Sequence, residues 1–459
     1  CSPLFNSAAM DGIAVISEHT KGASEVTPVE LIRGRDFQIV DTGDPVHPPY
    51  DAVIMAEDLM ETGDEDRVRI VEAAAPWQHI RPVGEDIVAG EMILPGHHKI
   101  RSIDVGVLLS AGITRIEVAA RPRVAIFPTG TEIIEPEETP VEGSIIESNS
   151  RMFENLAVEQ GAIADRFLVI PDDYGKIKEK IEWASQNYDV VLINAGSSAG
   201  TEDYTVHVLR ELGEVVVHGV SIKPGKPVIL AVVNKRPVIG LPGYPVSAYI
   251  GFENFVNPVL AMLGDTVCRK NPTVPAVISK RLVSSLKHRE YIRVKVGKVG
   301  EKLVAAPLAR GAGAAMSMVR ADGFCVIPQN SEGVEAGETV QVELYRDLSK
   351  IENTLVVIGS HDLILDVIAD QMPQIHRNMY LSSTHVGSMG GLMALKRREA
   401  HLAPTHLLDE KTGVYNISYL KRLFTEPMVL IKGVGRIQGL MVKKGNPLQI
   451  KGISDLTRC

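Results

Sequence analysis

The sequence predicts a multidomain α/β protein: a β-rich lobe, a three-layer α/β domain, a small β-barrel and a partial second α/β lobe. Three observations lead there. At 459 residues the chain exceeds the roughly 100–200 residues of a single domain. Strand-like and helix-like stretches alternate from residue 121 onward, the pattern of βαβ units around a parallel sheet. Beyond about Leu263 that alternation gives way to β-like runs parted by Gly-rich turns, and it resumes at Leu355.

Residues 1–120 carry short β-like runs broken by Gly, Pro and Asp, such as Ala52–Met55 and Arg67–Val71. The α/β domain is expected over 121–265. Its strands are Val124–Phe127, Phe167–Ile170 and Asp189–Asn194, and its helices Ser150–Gln160, Tyr174–Gln186 and Thr205–Leu212, with a further helix starting near Val246. Residues 270–347 hold Tyr291–Val296, Phe324–Ile327 and Thr339–Leu344, as in a small barrel. The last segment, 350–459, opens on the strand-like Leu355–Gly359. Glu399–Pro404 and Arg436–Val442 read as further strands of its sheet. With no initiator Met and a dense motif at the first residues, a fragment at both ends is expected.

Composition narrows the function. The net charge is −9, from 48 basic and 57 acidic side chains, and no Lys/Arg-rich run supplies the phosphate-neutralising surface of a nucleic-acid binder. No apolar stretch reaches the ~18 residues of a membrane helix. Cys1, Cys268, Cys325 and Cys459 form no CxxC pair, which argues against a disulfide framework or a structural zinc and fits a reducing cytoplasm.

Chemistry concentrates where strands end. Val190–Asn194 runs into a loop of small residues with Gly196, Ser197, Ser198, Gly200 and Thr201, and a helix follows. Small side chains let backbone N–H groups close on an anion, and a helix start adds partial positive charge. An ordinary βα loop with Asp203 as helix cap is equally compatible. Glu132 after one strand, Asp172 after another and Asp203 after a third place carboxylates at the sheet edge where ligands bind. Carboxylates beside a phosphate loop suit Mg²⁺. Lys223 and Lys226, on a Pro-Gly turn, can clamp a phosphate or oxyanion, and Pro242 and Pro245 fix a loop before a helix. No Ser-His-Asp or Cys-His pattern offers a protein nucleophile.

These motifs, in this order, resemble the molybdenum insertase family, the MoeA-type and gephyrin E-domain proteins. The likeness rests on Asn6–Gly12, Asp41-Thr42-Gly43, Arg81–Asp86, the 127–132 and 190–205 loops, and the paired Lys223–Pro227 and Leu241–Ser247 segments. It covers roughly residues 1–347. The resemblance implies that Asp11, Thr42, Asp86, Glu132, Asp172, Asp203, Lys223, Pro242 and Pro245 match functional positions. It implies adenylylated molybdopterin, molybdate (or tungstate) and Mg²⁺ as reactants and cofactor, with AMP released. It further implies a homodimer in which the first motif of one subunit completes the other's site. Only a remnant of the family's split helical domain is expected in 1–120. Molybdopterin adenylyltransferase and apo-molybdoenzymes are the expected protein partners. Three positions depart from the family pattern: the 194–200 loop reads Asn-Ala-Gly-Ser-Ser-Ala-Gly, Thr131 stands where an Asp is usual, and Tyr244 where an Asn is usual.

Residues 350–459 resemble the first lobe of a periplasmic-binding-protein-like domain. Ser360, Ser383 and Ser388, each near the start of a helix-like stretch, are its candidate oxyanion donors, while the scattered His361, His385, His401 and His406 read as satisfied or surface histidines. Two alternatives stand beside the insertase: the adenylyltransferase that shares the α/β domain, and a non-catalytic oxyanion sensor or scaffold. Clustered carboxylates give a pure anion binder nothing, which disfavours the latter.

Overall fold

The computed structural model describes residues 1–194, 204–268, 270–308, 310–435, 437 and 439–458. They fall into two compact units, Cys1–Ala120 and Arg121–Cys459.

The first unit is built on antiparallel pairs. Gly12–Val15 runs between Phe37–Val40 and Ala52–Met55. Its side chains alternate between two cores, as the twofold pleat requires. Ile13 and Val15 pack with Phe37, Ile54 and Ile70 on one face, and Ala14 packs with Val40 and Val53 on the other. Gly12 is demanded by close approach, since a Cβ there would lie 2.0 Å from the Ile54 carbonyl oxygen.

The second unit begins with a six-stranded sheet in the order Ile163–Arg166, Arg123–Pro128, Val190–Asn194, Arg236–Leu241, Ile229–Val233, Gly213–His218. The first four strands are parallel, and the last two are added through antiparallel pairings. Val190–Asn194 is buried along its whole length, as a central strand covered on both faces must be. Helices Tyr174–Asn187 and Tyr204–Leu212 cover one face through Ile177, Ile181, Val206 and Leu209. Asn149–Glu159, Pro245–Gly251 and Asn257–Leu263 cover the other through Phe153, Ala157, Ala248 and Leu260. These are the three layers the alternation predicts.

One strand lies earlier than expected. The edge strand is Ile163–Arg166, and Phe167–Ile170 has already left the sheet apart from a single bridge of Ile170 to Thr129. Phe167 is drawn instead into an aromatic cluster, stacked on Phe127 at 4.7 Å and edge-on to Trp183 at 5.5 Å. An apolar run packed against a helix mimics a strand by composition alone.

Five strands then close a barrel: Arg289–Val299, Lys302–Pro307, Thr273–Ile278, Thr339–Leu344 and Gly323–Ile327, the last pairing back to the first. Alternation along Arg289–Val299 sends Ile292, Val294 and Val296 into the barrel core. The short helix Ala315–Arg320 interrupts this otherwise helix-free stretch.

In the C-terminal lobe Thr354–Gly359 and Tyr380–His385 pair in parallel, followed by helices Leu363–Ile375 and Gly387–Lys396. Residues 401–404 run beside the first strand: His401 N–H donates to Val356, and the Leu402 and Pro404 carbonyls accept from Ile358 and Ser360. Only Leu402 forms a bridge there, because Pro404 has no N–H to extend the ladder. The expected strand at 436–442 is absent among its described residues; Ile437 and Met441 are fully exposed. No helix among the described residues is long and apolar enough to cross a membrane.

Candidate functional site

In the first unit the three motifs meet. Backbone bonds join the first two, with Gly43 N–H donating to the Ala8 carbonyl and Ala8 N–H to the Asp44 carbonyl. Ser7–Ala8 pairs with Ile80–Arg81, and the Asn6 side-chain oxygen accepts the Val83 N–H at 3.0 Å, which brings in the third. Asp11 Oδ1 accepts both the Thr42 N–H (2.6 Å) and its hydroxyl (2.7 Å). Asp86 is exposed on the same unit, its N–H bonded to Ser2.

The Thr42 hydroxyl and then its amide hold the Asp11 carboxyl below its ordinary value. A carboxylate stabilised in the fold contributes above its unfolded pKa of about 3.9, and that contribution is lost as pH falls through the lowered folded value. Thr42→Val is therefore expected to move the Asp11 titration up toward the ordinary carboxylate range, read by carboxyl carbon NMR. An unmoved titration would show that the clasp does not set it.

In the second unit the loops at the carboxyl ends of the parallel strands are tied together. Thr129 N–H and hydroxyl both donate to the Asn194 carbonyl. Asp172 Oδ2 accepts the Thr131 N–H at 3.0 Å, and the Asp172 N–H donates to the Thr131 hydroxyl at 3.2 Å. Thr131, where an acid was expected from the resemblance, thus serves as a neutral partner that orients Asp172. The Glu132 carboxylate lies over Gly130, where a Cβ would come within 3.1 Å of both its oxygens. Asn194 donates to the Pro242 carbonyl at 3.0 Å and Asn149 to Gly243 at 2.7 Å. These two amides fix the loop that ends in Pro245, the first residue of its helix, where a missing N–H costs nothing. Gly196, Ser197, Ser198, Gly200, Thr201 and Asp203 lie outside the described residues.

Lys223 and Lys226 line a cleft of about 480 Å³ with Ser247, His288, Glu290 and Arg310. The two lysines differ sharply. Ile222–Lys223 pairs with the barrel strand in a register that sets Lys223 opposite Glu290, and its Nζ lies 3.3 Å from Glu290 Oε1. Glu290 is buried, accepts the Ser285 N–H at 3.0 Å, and has Arg310 3.7 Å from its other oxygen. Lys226 is exposed, and its ammonium has no ion-pair or hydrogen-bond partner among the described residues. The cleft's uncommitted positive charge is therefore on Lys226. Sequence reasoning missed Glu290, Arg310 and Asn194; a charged Glu290 at the head of the alternating run Tyr291–Val296 was the available sign.

In the C-terminal lobe Ser360 and Ser388 hydroxyls meet at 2.7 Å, and Ser388 also accepts the His406 N–H at 3.0 Å. This clasp ties the two strand-to-helix junctions. Ser383 lies elsewhere at the same edge, 3.2 Å from His385.

Four family models match the chain: MoeA N-terminal region (domain I and II) over residues 1–112, a probable molybdopterin binding domain over 125–262, MoeA C-terminal region (domain IV) over 275–345, and a PBP superfamily domain over 369–459. A putative molybdopterin biosynthesis protein of Methanocaldococcus jannaschii is 35% identical over 359 residues, covering 75% of this chain and 86% of that protein. Molybdopterin molybdenumtransferase 2 of Mycobacterium tuberculosis is 30% identical, covering 74% and 88%. The crystal structure of a molybdopterin biosynthesis MoeA protein from Pyrococcus horikoshii superposes with a TM-score of 0.61 at 32% identity, over 75% of this chain and 88% of that one.

Proposed function

The chain belongs to the MoeA family of molybdopterin molybdenumtransferases, transferases of molybdenum cofactor biosynthesis, and within that activity we propose that it inserts molybdate or tungstate into adenylylated molybdopterin with Mg²⁺-dependent release of AMP. The observation that carries this reading is that Leu241–Ser247 joins two features. It is clamped by Asn194 at the carboxyl edge of the sheet, beside the tied Thr131–Asp172 loops, and its Ser247 lines the Lys226 cleft.

In this mechanism Lys226 and His288 hold the tetrahedral dianion, while Glu290 offsets part of the charge of Lys223 and Arg310 so that the cleft is not over-charged. The clamped 242–245 loop keeps oxyanion and pterin in one geometry, which converts a two-body encounter into a positioned reaction. Glu132 and Asp172 fit Mg²⁺: they are hard oxygen donors on adjoining loops, and that ion takes one or two carboxylates plus substrate phosphates. Bound there, it supplies charge that stabilises the anhydride oxygens as AMP departs. Asp203 and the 196–201 loop are assigned to the metal and phosphate by the family resemblance. The protein works as a cytoplasmic homodimer, with Asp11, Thr42 and Asp86 of one subunit completing the other's site.

The test incubates the protein with adenylylated molybdopterin, molybdate and Mg²⁺ and follows AMP by chromatography, alongside reactivation of an apo-molybdoenzyme. AMP and active cofactor are expected in step, both abolished by chelation and reduced about 100-fold or more in Glu132→Gln/Asp172→Asn, the loss expected for removing preorganised transition-state charge. No AMP release from the unaltered protein would overturn the reading.

A further inference from the structure

The outer face of the barrel strand Arg289–Val299 meets the C-terminal lobe. Gly297 lets the two come close, for a Cβ there would lie 2.1 Å from Val356 Cγ2. Lys295, two residues earlier, shares that face by the pleat. It is half-buried, and its ammonium has no hydrogen-bond or ion-pair partner among the described residues.

Opposite stands an unusual pair. His361 Nδ1 and His385 Nε2 are 3.0 Å apart, their ring centroids 4.0 Å apart, with the Ser383 hydroxyl 3.2 Å from the same His385 nitrogen. The charges that reach His385 are Arg320 at the end of its short helix, Lys295 on the barrel, and Asp366 in the first turn of Leu363–Ile375. Burial, then His361, Arg320 and Lys295, hold the His385 imidazole below its ordinary value against the pull of Asp366. Lys295 senses Arg320 and Asp366 as well, together with Asp322 and Arg346, but Asp322 is committed to Arg346 at 2.7 Å and to the Val296 N–H. Asp362, beside His361, caps its own helix through the Ile364 N–H, and the charged side chains that reach His385 are two cations, Lys295 and Arg320, against one carboxylate, Asp366, before either imidazole takes a proton. A metal cation at the two histidines would face Lys295 and Arg320, and no group of three metal-ligating side chains occurs among the described residues.

We propose that this seam is a second site for a tetrahedral oxyanion, held by His361, Ser383 and His385 of the lobe and by Lys295 and Arg320 of the barrel. It sits apart from the Lys226 cleft and needs both domains. Ser360 and Ser388, spent on their own clasp, position the loops and leave the contacts to Ser383 and the histidines. Molybdate as the first probe rests on the insertase reading; sulfate and phosphate share the chemistry and serve as comparison arms.

The full chain is titrated calorimetrically with molybdate, sulfate and phosphate at pH 6 and pH 8. Two classes of site are expected. Lys295→Met, which keeps the side chain's bulk, and His361→Gln, at an exposed position, should each weaken one class at least tenfold, while Lys226→Ala removes the other. Because an anion favours the charged imidazole, binding at the seam should take up protons and tighten at pH 6. A seam class that prefers sulfate or phosphate supports the oxyanion site and replaces molybdate as its occupant. A single class abolished by Lys226→Ala, or Lys295→Met and His361→Gln titrations that superimpose on the parent's, overturns the proposal. Absent AMP release with seam binding intact would count against the insertase reading alone.

Discussion

Lys226→Ala is expected to cost on the order of 10- to 150-fold in turnover at subsaturating molybdate, the equivalent of about 1.5–3 kcal/mol for a lost contact to a charged group. The loss should appear mainly in KM for molybdate, since Lys226 offers charge that no group among the described residues already uses. Lys223→Ala should cost less at the oxyanion, because the Lys223 ammonium is held at 3.3 Å by Glu290. The contrast has a third arm. Glu290→Gln keeps the side-chain volume and an acceptor for the Ser285 N–H, yet removes the charge that offsets Lys223 and Arg310. Molybdate should then bind more tightly than in the parent. Steady-state kinetics with varied molybdate, paired with direct titration, decide the matter. A Lys226→Ala enzyme within twofold of the parent, or a Glu290→Gln enzyme that binds molybdate more weakly, would refute this division of charge.

The two lysines mark the boundary of what the sequence discloses. Their place on a Pro-Gly turn is readable, as is the hydrophobic strand Val190–Asn194 with its loop, because strand periodicity and turn chemistry are local properties. Which lysine is free is a matter of register between Ile222–Lys223 and Arg289–Glu290, some 67 residues apart in the chain. Nothing local encodes that. The same holds for Asn194, legible as the end of a strand but not as the donor that fixes Pro242, and for Thr131, whose value appears only once Asp172 is 3.0 Å away. Phe167–Ile170 shows the converse failure. Its apolar run is a valid strand signal locally, and tertiary packing against Phe127 and Trp183 overrides it. The segment near 436–442 is equally apolar, but its described residues gain no strand partner, and β propensity without a partner produces no strand.

Gly297→Val should separate the C-terminal lobe from the barrel without unfolding the barrel. The new side chain would point outward, since residues 294 and 296 are the ones that fill the barrel core. Its first carbon would meet Val356, and Val356 cannot swing aside freely: it is 6% exposed and packed with Ile358, Ala394 and Ala400. Overpacking of this kind costs about 1–3 kcal/mol, and moving the lobe relieves it at lower cost than distorting either core. Amide exchange should accordingly rise along Thr354–Gly359 while the amides of Lys302–Pro307 stay protected. Val356→Ala in the same chain makes room for the valine, so the double variant should recover most of that protection, a coupling expected only for side chains in contact. Equal loss of protection in barrel and lobe would mean that Gly297 serves the barrel itself. The docked arrangement is also what carries Lys295 toward His385. The single variant should therefore lose the seam's oxyanion binding while its Lys226-dependent turnover persists, an outcome that a lobe merely tethered to the barrel would not produce.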